Sequence, residues 1–391
     1  MQPLILLSFW AGLACSRRGI LLTMTLCYYV TGHGYGHAIR TAQVIKALPP
    51  DLPVIVRSTV PQRLFAEELP NRLIETICAE FDCGCVQPDS VTILKRETLD
   101  RYRAIAARNA SVLDAEVRFL TGRGVTLVVS DVPSFPIEAA HVAGIPSVVA
   151  TNFTWYDIYK EYVETPQDQA LVDEIAAQYR LASLALISDL ETPSTAGCFP
   201  TVERVPLTAR IGVRRRDALD EFLRSQDCPE GIRLGLLYMG TWGLDIDWTV
   251  VETMRDWRFV TYDPLPRPVR NVTVLDRTQW PYADTVASAD AMICKVGYGT
   301  TTDCIGNGTP MIHLPRRDFI EYNALVAGLD RWGGRIELSE DDFIAARWRP
   351  ALEASTSVTI DPAAFRTDGA QVVANRLAGL AAQDHNRLQF S

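Results

Sequence analysis

Two of the five histidines in this 391-residue chain stand four positions apart in one glycine-rich stretch, Thr31-Gly32-His33-Gly34-Tyr35-Gly36-His37. Imidazole gains and loses a proton near neutrality, and glycines let backbone approach a ligand closely. The pattern therefore points to acid–base chemistry beside a bound molecule. A second stretch, Lys295-Val296-Gly297-Tyr298-Gly299-Thr300-Thr301-Thr302-Asp303, combines a cation, free backbone and hydroxyls at a helix start. That combination suits a diphosphate. Asp131 ends an apolar run, where a carboxylate serves either as a helix N-cap or as a site residue. Thr151-Asn152-Phe153-Thr154-Trp155-Tyr156-Asp157-Ile158-Tyr159 is polar and aromatic, a composition found both in sugar sites and in interdomain packing.

Each of these stretches follows a strand-like run. Cys27 to Val30 precedes the histidine loop, and a helical pattern follows it through Ile39, Ala42, Val44, Ile45 and Leu48. Val54 to Thr59, Val125 to Val129, Ser147 to Ala150 and Ala185 to Ser188 read as further strands, the last closing the first half. Gln62 to Leu69, Leu99 to Thr121 and Ile137 to Val142 read as helices. Arg101, Arg103, Arg108 and Arg118 form a solvated face on the second of these. Asp82 to Gln87 reads as a loop or short strand, and 190–231 as a linker with a short helix.

The second half restarts the cadence with Leu234 to Tyr238 and the turn Met239-Gly240-Thr241-Trp242-Gly243. Strands follow at Phe259 to Tyr262, Val272 to Leu275, Ala291 to Cys294 and Met311 to Leu314. A final amphipathic helix covers Thr367 to Leu380. Strands alternating with helices indicate an α/β protein with parallel sheets, here two Rossmann-like domains facing across a cleft.

Composition narrows the class. The chain is 48% hydrophobic and 22% charged with a formal net charge of −9, which fits a globular protein and argues against nucleic-acid or anionic-membrane partners. Nine scattered cysteines lack metal-ligand spacing and fit reduced thiols in the cytoplasm. Leu4 to Leu13 is apolar but too short for a stable membrane span, and Met24 stands directly before the first strand. Residues 1–23 thus read as an extension or a mis-assigned start. Asp245-Ile246-Asp247 mimics a metal-binding DxD but reads as surface or helix-start acid.

Taken in order, these motifs resemble the GT-B glycosyltransferases of the UDP-glycosyltransferase type. The likeness includes Gly34-Tyr35-Gly36-His37, a Gly-Thr turn, Trp280-Pro281-Tyr282, the phosphate loop, Gly308-Thr309-Pro310, and an acidic residue with Asn-Ala. The chain resembles still more fully the glycosyltransferase-like N-terminal region of L-arabinokinases, through Thr31 to His37, Asp82-Cys83-Gly84, Thr151 to Trp155 and Lys295 to Thr300. Their kinase part has no counterpart in these residues.

The resemblance implies an N-terminal acceptor-side domain over 24–208, a C-terminal donor domain over 209–366, and a C-terminal helix and tail over 367–391. It implies an inverting, metal-independent transfer from a nucleotide-diphosphate sugar, a UDP-sugar in particular, to a hydroxyl acceptor, with no cofactor. His37 matches the general base and Asp131 the acid that orients it, with His33 an additional candidate for the base. Lys295, Gly297, Tyr298, Gly299, Thr300 and Thr301 match the diphosphate site. Gly240, Thr241 and Trp280 match the base-binding side, and Glu321 and Asn323 the donor sugar site. Gly34, Gly36, Asn152 and Trp155 fall on the acceptor side. Lys295 stands where many plant-type enzymes carry His, and Glu321-Tyr322 where they carry an acidic-Gln pair.

Two other readings share the fold: a nucleotide-sugar epimerase using acidic residues across the cleft, and a non-catalytic nucleotide-sugar-binding regulator. A dinucleotide oxidoreductase fits less well, because neither half has a full GxGxxG with a downstream acid.

Overall fold

A computed structural model of the chain describes residues 24–88, 92–225, 233–239 and 246–389. The first sheet comprises β1 (Thr25–Val30), β2 (Val54–Ser58), β3 (Glu75–Cys78), β4 (Val125–Asp131), β5 (Ser147–Thr151), β6 (Leu184–Ser188) and β7 (Val202–Val205). Its order is β3-β2-β1-β4-β5-β6-β7, all parallel. The second sheet comprises β8 (Arg233–Tyr238), β9 (Trp257–Thr261), β10 (Val272–Val274), β11 (Ala291–Lys295), β12 (Met311–Leu314) and β13 (Arg335–Glu337). Its order is β10-β9-β8-β11-β12-β13, again parallel.

Central strands such as β1, β4 and β11 are buried on both faces. Their unbroken apolar runs follow from helices covering each face. In both sheets the strand order reverses beside the first strand, which opens a crevice at the carboxyl ends. Val30 lies in register with Asp131, and Tyr238 with Cys294. The histidine loop therefore emerges beside Asp131, and Lys295 leaves the second sheet at the matching crevice.

The 82–87 segment is a loop, one of its two expected forms, and the unexpected β3 lies just before it. Two expectations need correction. β7 lies inside the expected linker, so β6 is not the last strand of the first sheet. The final helix runs Gly369–Gln389, beyond the expected Leu380. Its Val373, Ala374, Leu377 and Ala381 join the cluster formed by Leu26, Tyr28, Ala38, Ala42 and Ile45. Arg376 forks Glu203 of β7 in support. The end of the chain thus completes the core of the first sheet.

The arginines expected on a solvated face are exposed, Arg103 partly so, and three of them are also paired. Arg101 and Arg108 reach Glu80, and Arg103 reaches the buried Asp168. Asp247 caps the helix Trp248–Val251 by accepting from the Thr249 amide, while Asp245 lies outside the described residues. Among the described residues, no helix is long and apolar enough to cross a membrane.

Candidate active site

The histidine loop is held from beneath by a buried carboxylate. Asp82 accepts from Thr31 Oγ1 at 2.8 Å and from Trp155 Nε1 at 2.7 Å. Burial pushes its carboxyl up to about 6 although both donors favour the charged form. Thr31 Oγ1 accepts in turn from the His33 amide at 3.1 Å. Trp155 was expected on the acceptor side; it is fully buried, and its ring meets His33 edge-on with centroids 5.4 Å apart. Its short helix turns it inward, so it shapes the loop from behind.

The His33 tautomer follows from its neighbour. The Cys85 amide donates to His33 Nδ1 at 3.2 Å, and an amide can only donate. The neutral ring therefore carries its proton on Nε2. Burial, with the positive potential of Arg316, His37 and Lys295, holds its pKa well below the ordinary imidazole value. His33 is a neutral hydrogen-bond donor. Gly84 makes this packing feasible: it has φ +61°, and a Cβ there would fall 2.4 Å from His33 Nδ1.

His37 sits in the first turn of the helix Tyr35–Ala47 with Nδ1 3.0 Å from Asp131 Oδ1. Arg40 and Thr41 lie on the same helix face, three and four positions on. Arg40 forks Asp131: Nε donates to Oδ2 at 3.0 Å and Nη2 donates to Oδ1. Nη2 also lies 3.0 Å from His37 Nδ1. Thr41 Oγ1 donates to Asp131 Oδ2 at 3.2 Å. Burial works against the Asp131 charge, but Arg40 and His37 outweigh it and hold the carboxyl down at about 2. The N-cap alternative for Asp131 is excluded, because Ser134 occupies that position of the helix Phe135–Val142. With Nδ1–H directed at Asp131, His37 keeps Nε2 free to accept a proton.

The opposite wall is the phosphate-type loop. The helix Tyr298–Asn307 begins after Gly297, and Thr300 Oγ1 donates to the carbonyls of Lys295 and Gly297 at 3.1 and 3.0 Å. A Cβ on Gly299 would stand 4.0 Å from Gly36 Cα. The first turns of two helices thus face each other across the cleft, each offering unpaired N–H groups. Lys295 reaches the same space, its amine pushed down to about 8 by burial and by Arg316.

The two walls are joined by polar contacts. The Tyr298 ring stacks on Arg40 at 4.8 Å, and its Oη meets Ser188 and the Thr208 amide. Arg40 Nη1 donates to Asn152 Oδ1 at 2.6 Å, and Asn152 Nδ2 donates to Glu321 Oε1 at 2.9 Å. A continuous chain of bonds therefore runs from His37 through Asp131, Arg40 and Asn152 to the second domain.

The cleft has a volume of about 610 Å³. Gly34, Gly36, His33, His37, Lys295, Gly297, Tyr298, Gly299, Thr300 and Glu321 line it, as the sequence led us to expect. Five other expected site residues do not line it. Thr301 is fully buried, because it sits on the inward face of its helix. Trp280 packs on Phe222 and Arg215 away from the cleft, and Tyr238, Met239, Asp263 and Arg277 line that end instead. Asn323 is exposed: two residues past Glu321 on a helix is a rotation of about 200°, which turns it off the cleft. Asn152 and Trp155 are fully buried and act through Arg40, Glu321, Asp82 and His33. Gly240 and Thr241 lie outside the described residues. The sequence reading missed Arg40, Thr41 and Asp82 as site residues. The first two carried a signal in their helical spacing from His37.

Known proteins show the same architecture. The crystal structure of a kitacinnamycin glycotransferase matches 93% of this chain and 98% of its own, with a TM-score of 0.57 at 15% identity. A UDP-glucosyltransferase from Polygonum tinctorium capable of glucosylating indoxyl matches 92% of this chain and 94% of its own, with a TM-score of 0.57 at 16% identity. The fold is that of a GT-B glycosyltransferase. Phytolacca americana UGT2, solved with UDP-2-fluoroglucose and pterostilbene, matches 91% of this chain and 94% of its own, with a TM-score of 0.56 at 16% identity. In sequence, the chain is 30% identical to an L-arabinokinase of Arabidopsis thaliana over 345 residues, 86% of this chain. It spans 32% of that relative's length. No protein-family model matches the chain. The GT-B cleft thus lies between the His37–Asp131 pair and the Lys295 loop.

Proposed function

We propose that the protein transfers a glycosyl group from a nucleotide-diphosphate sugar, a UDP-sugar in particular, to a hydroxyl acceptor. The observation that carries this reading is the placement of the His37–Asp131 pair opposite Lys295 and the helix start at Gly297 across one cleft. The acceptor oxygen attacks the anomeric carbon while its proton passes to His37 Nε2. The bond from that carbon to the phosphate oxygen breaks, and the electron pair leaves with the nucleoside diphosphate. A single displacement of this kind inverts the anomeric centre.

Asp131 holds the ring through Nδ1–H and stabilises the imidazolium that forms. Lys295 and the N–H groups of the helix Tyr298–Asn307 meet the charge on the leaving diphosphate, with no metal ion called upon. His33 offers Nε2–H to a substrate oxygen. UDP as the nucleotide draws support from the fold relatives, one of them solved with UDP-2-fluoroglucose and another named a UDP-glucosyltransferase. The unpaired thiols of the seven described cysteines support a reducing compartment such as the cytoplasm.

Calorimetry with UDP and a panel of UDP-sugars tests the donor site, and release of UDP from the bound sugar tests transfer. His37→Ala should keep the binding and lose the release. Binding without release in the parent protein, with every acceptor class tried, would leave a nucleotide-sugar sensor instead. Among the described residues the epimerase reading has no observation in its favour: of the two described carboxylates lining the cleft, Asp263 and Glu321, the second is engaged by Asn152.

A further inference from the structure

The charges around the cleft do not balance. Among its lining cations, Arg40 is paired with Asp131, Arg101 with Glu80 and Arg210 with Asp303. Arg277 stacks on Tyr262 near Asp263. Lys295 and Arg316 have no carboxylate within ion-pair distance among the described residues, and each lies close enough for Arg316 to depress the Lys295 amine. Two unpaired cations in one partly buried cleft of a chain with net charge −9 are costly unless an anion joins them. A diphosphate next to Gly297 accounts for Lys295, whereas the contacts of Arg316 are with Phe319 and Gln87.

Arg316 leaves the end of β12 in the second sheet after Pro315 and reaches across to the 82–87 segment of the first half. Its guanidinium covers the Phe319 ring at 3.9 Å, and Nη2 touches Gln87 Oε1 at 3.4 Å. Its buried Nε has no hydrogen-bond partner. The same Phe319 ring lies 5.8 Å from the His33 ring, so the guanidinium stands at the histidine end of the cleft, which Tyr238, Asp263 and Arg277 also line. A planar guanidinium fixed by stacking, with unused N–H edges, suits a planar carboxylate bound by two parallel hydrogen bonds. Glu321 is held by Asn152 and Asp318 by Lys95, and neither makes an ion pair with Arg316.

We propose that Arg316 binds a carboxylate carried by a substrate at the reacting end of the cleft, either on the transferred sugar, as in a uronic acid, or on the acceptor. This assignment rests on the nucleotide-sugar reading and narrows its substrate class. Titration calorimetry of the full chain tests it in two arms. The first compares UDP-glucuronate with UDP-glucose. The second compares free glucuronate with glucose in the presence of saturating UDP.

One charge-assisted bidentate contact predicts a preference for the carboxylate form of roughly 10- to 100-fold. Preference in the first arm places the carboxylate on the donor sugar, and preference in the second places it on the acceptor. Arg316→Met should abolish the preference and leave the affinity for UDP unchanged, and Arg316→Lys should restore only part of it. Intact UDP binding in the variants also reports that they are folded. No preference in either arm overturns the assignment, as does an equal loss of UDP affinity in Arg316→Met, which would make Arg316 a diphosphate ligand. Failure of UDP to bind the parent protein would instead overturn the nucleotide-sugar reading on which the assignment stands.

Discussion

Arg40 and His37 converge on a single oxygen, Oδ1 of Asp131, from one face of one helix. The carboxylate that orients the imidazole is thus already neutralised by a guanidinium. Removing Arg40 leaves Asp131 without its guanidinium and Asn152 Oδ1 without its donor. Arg40→Met should therefore lower donor cleavage while UDP affinity stays intact. The variant also removes one partner of a buried ion pair, which costs about 3–5 kcal/mol of stability. Donor cleavage at the parent's rate by the folded variant would show that Arg40 serves only to bind Asp131 and Asn152.

The two loop histidines should separate cleanly. His37→Ala removes the free Nε2 and should lower donor cleavage by about 10²- to 10⁴-fold, the range of a positioned general base, with UDP affinity intact. His33→Gln keeps an acceptor for the Cys85 amide and a donor towards the cleft, so its loss should be far smaller. Donor cleavage with water as acceptor measures both variants. Equal losses would move the base to His33.

The final helix should be indispensable to the first domain. Leu377 is fully buried among residues of β1 and the helix Tyr35–Ala47. Leu377→Ala should cost about 2–5 kcal/mol, read as a lower midpoint in urea. A loss below 1 kcal/mol would mean that the helix can leave without disturbing that core.

The parts of this architecture that the sequence displayed are those set by burial on both faces. Cys27 to Val30, Val125 to Val129 and Ala291 to Cys294 are legible as strands because helices cover both sides of them. β3 and β7 are edge strands with half-exposed charged residues, Glu75, Glu203 and Arg204, and carry no such run. His37, Asp131 and Lys295 were legible because each follows or ends a central strand, where an α/β crevice lies. Asn152 and Trp155 had the right chemistry for a sugar site, but residue type does not reveal which way a side chain points. Asp82 found its partners, Thr31 and Trp155, 51 and 73 positions away, a pairing that only the fold makes.

Lys295 makes the protein's stability and its ligand affinity depend on pH in opposite senses. Its amine falls from an ordinary value of 10.5 to about 8 in the folded chain. Between these values the unfolded lysine holds a proton that the folded one lacks. Stability of the unliganded protein should therefore rise with pH from about 8 to 10.5, while below 8 the cost of the buried charge is fully present. Lys295→Met removes that cost, so the unliganded variant should melt higher than the parent at pH 7, and the gap should close towards pH 10.5. Affinity for UDP behaves the other way, because the diphosphate needs the protonated amine and should bind more weakly as pH rises through 8. Lys295→Arg stays charged, so its affinity should remain level over the same range. Calorimetry at pH 7 and 9.5 for the parent and both variants checks these signs. An affinity for UDP in the parent that does not fall across that range would remove Lys295 from the diphosphate site.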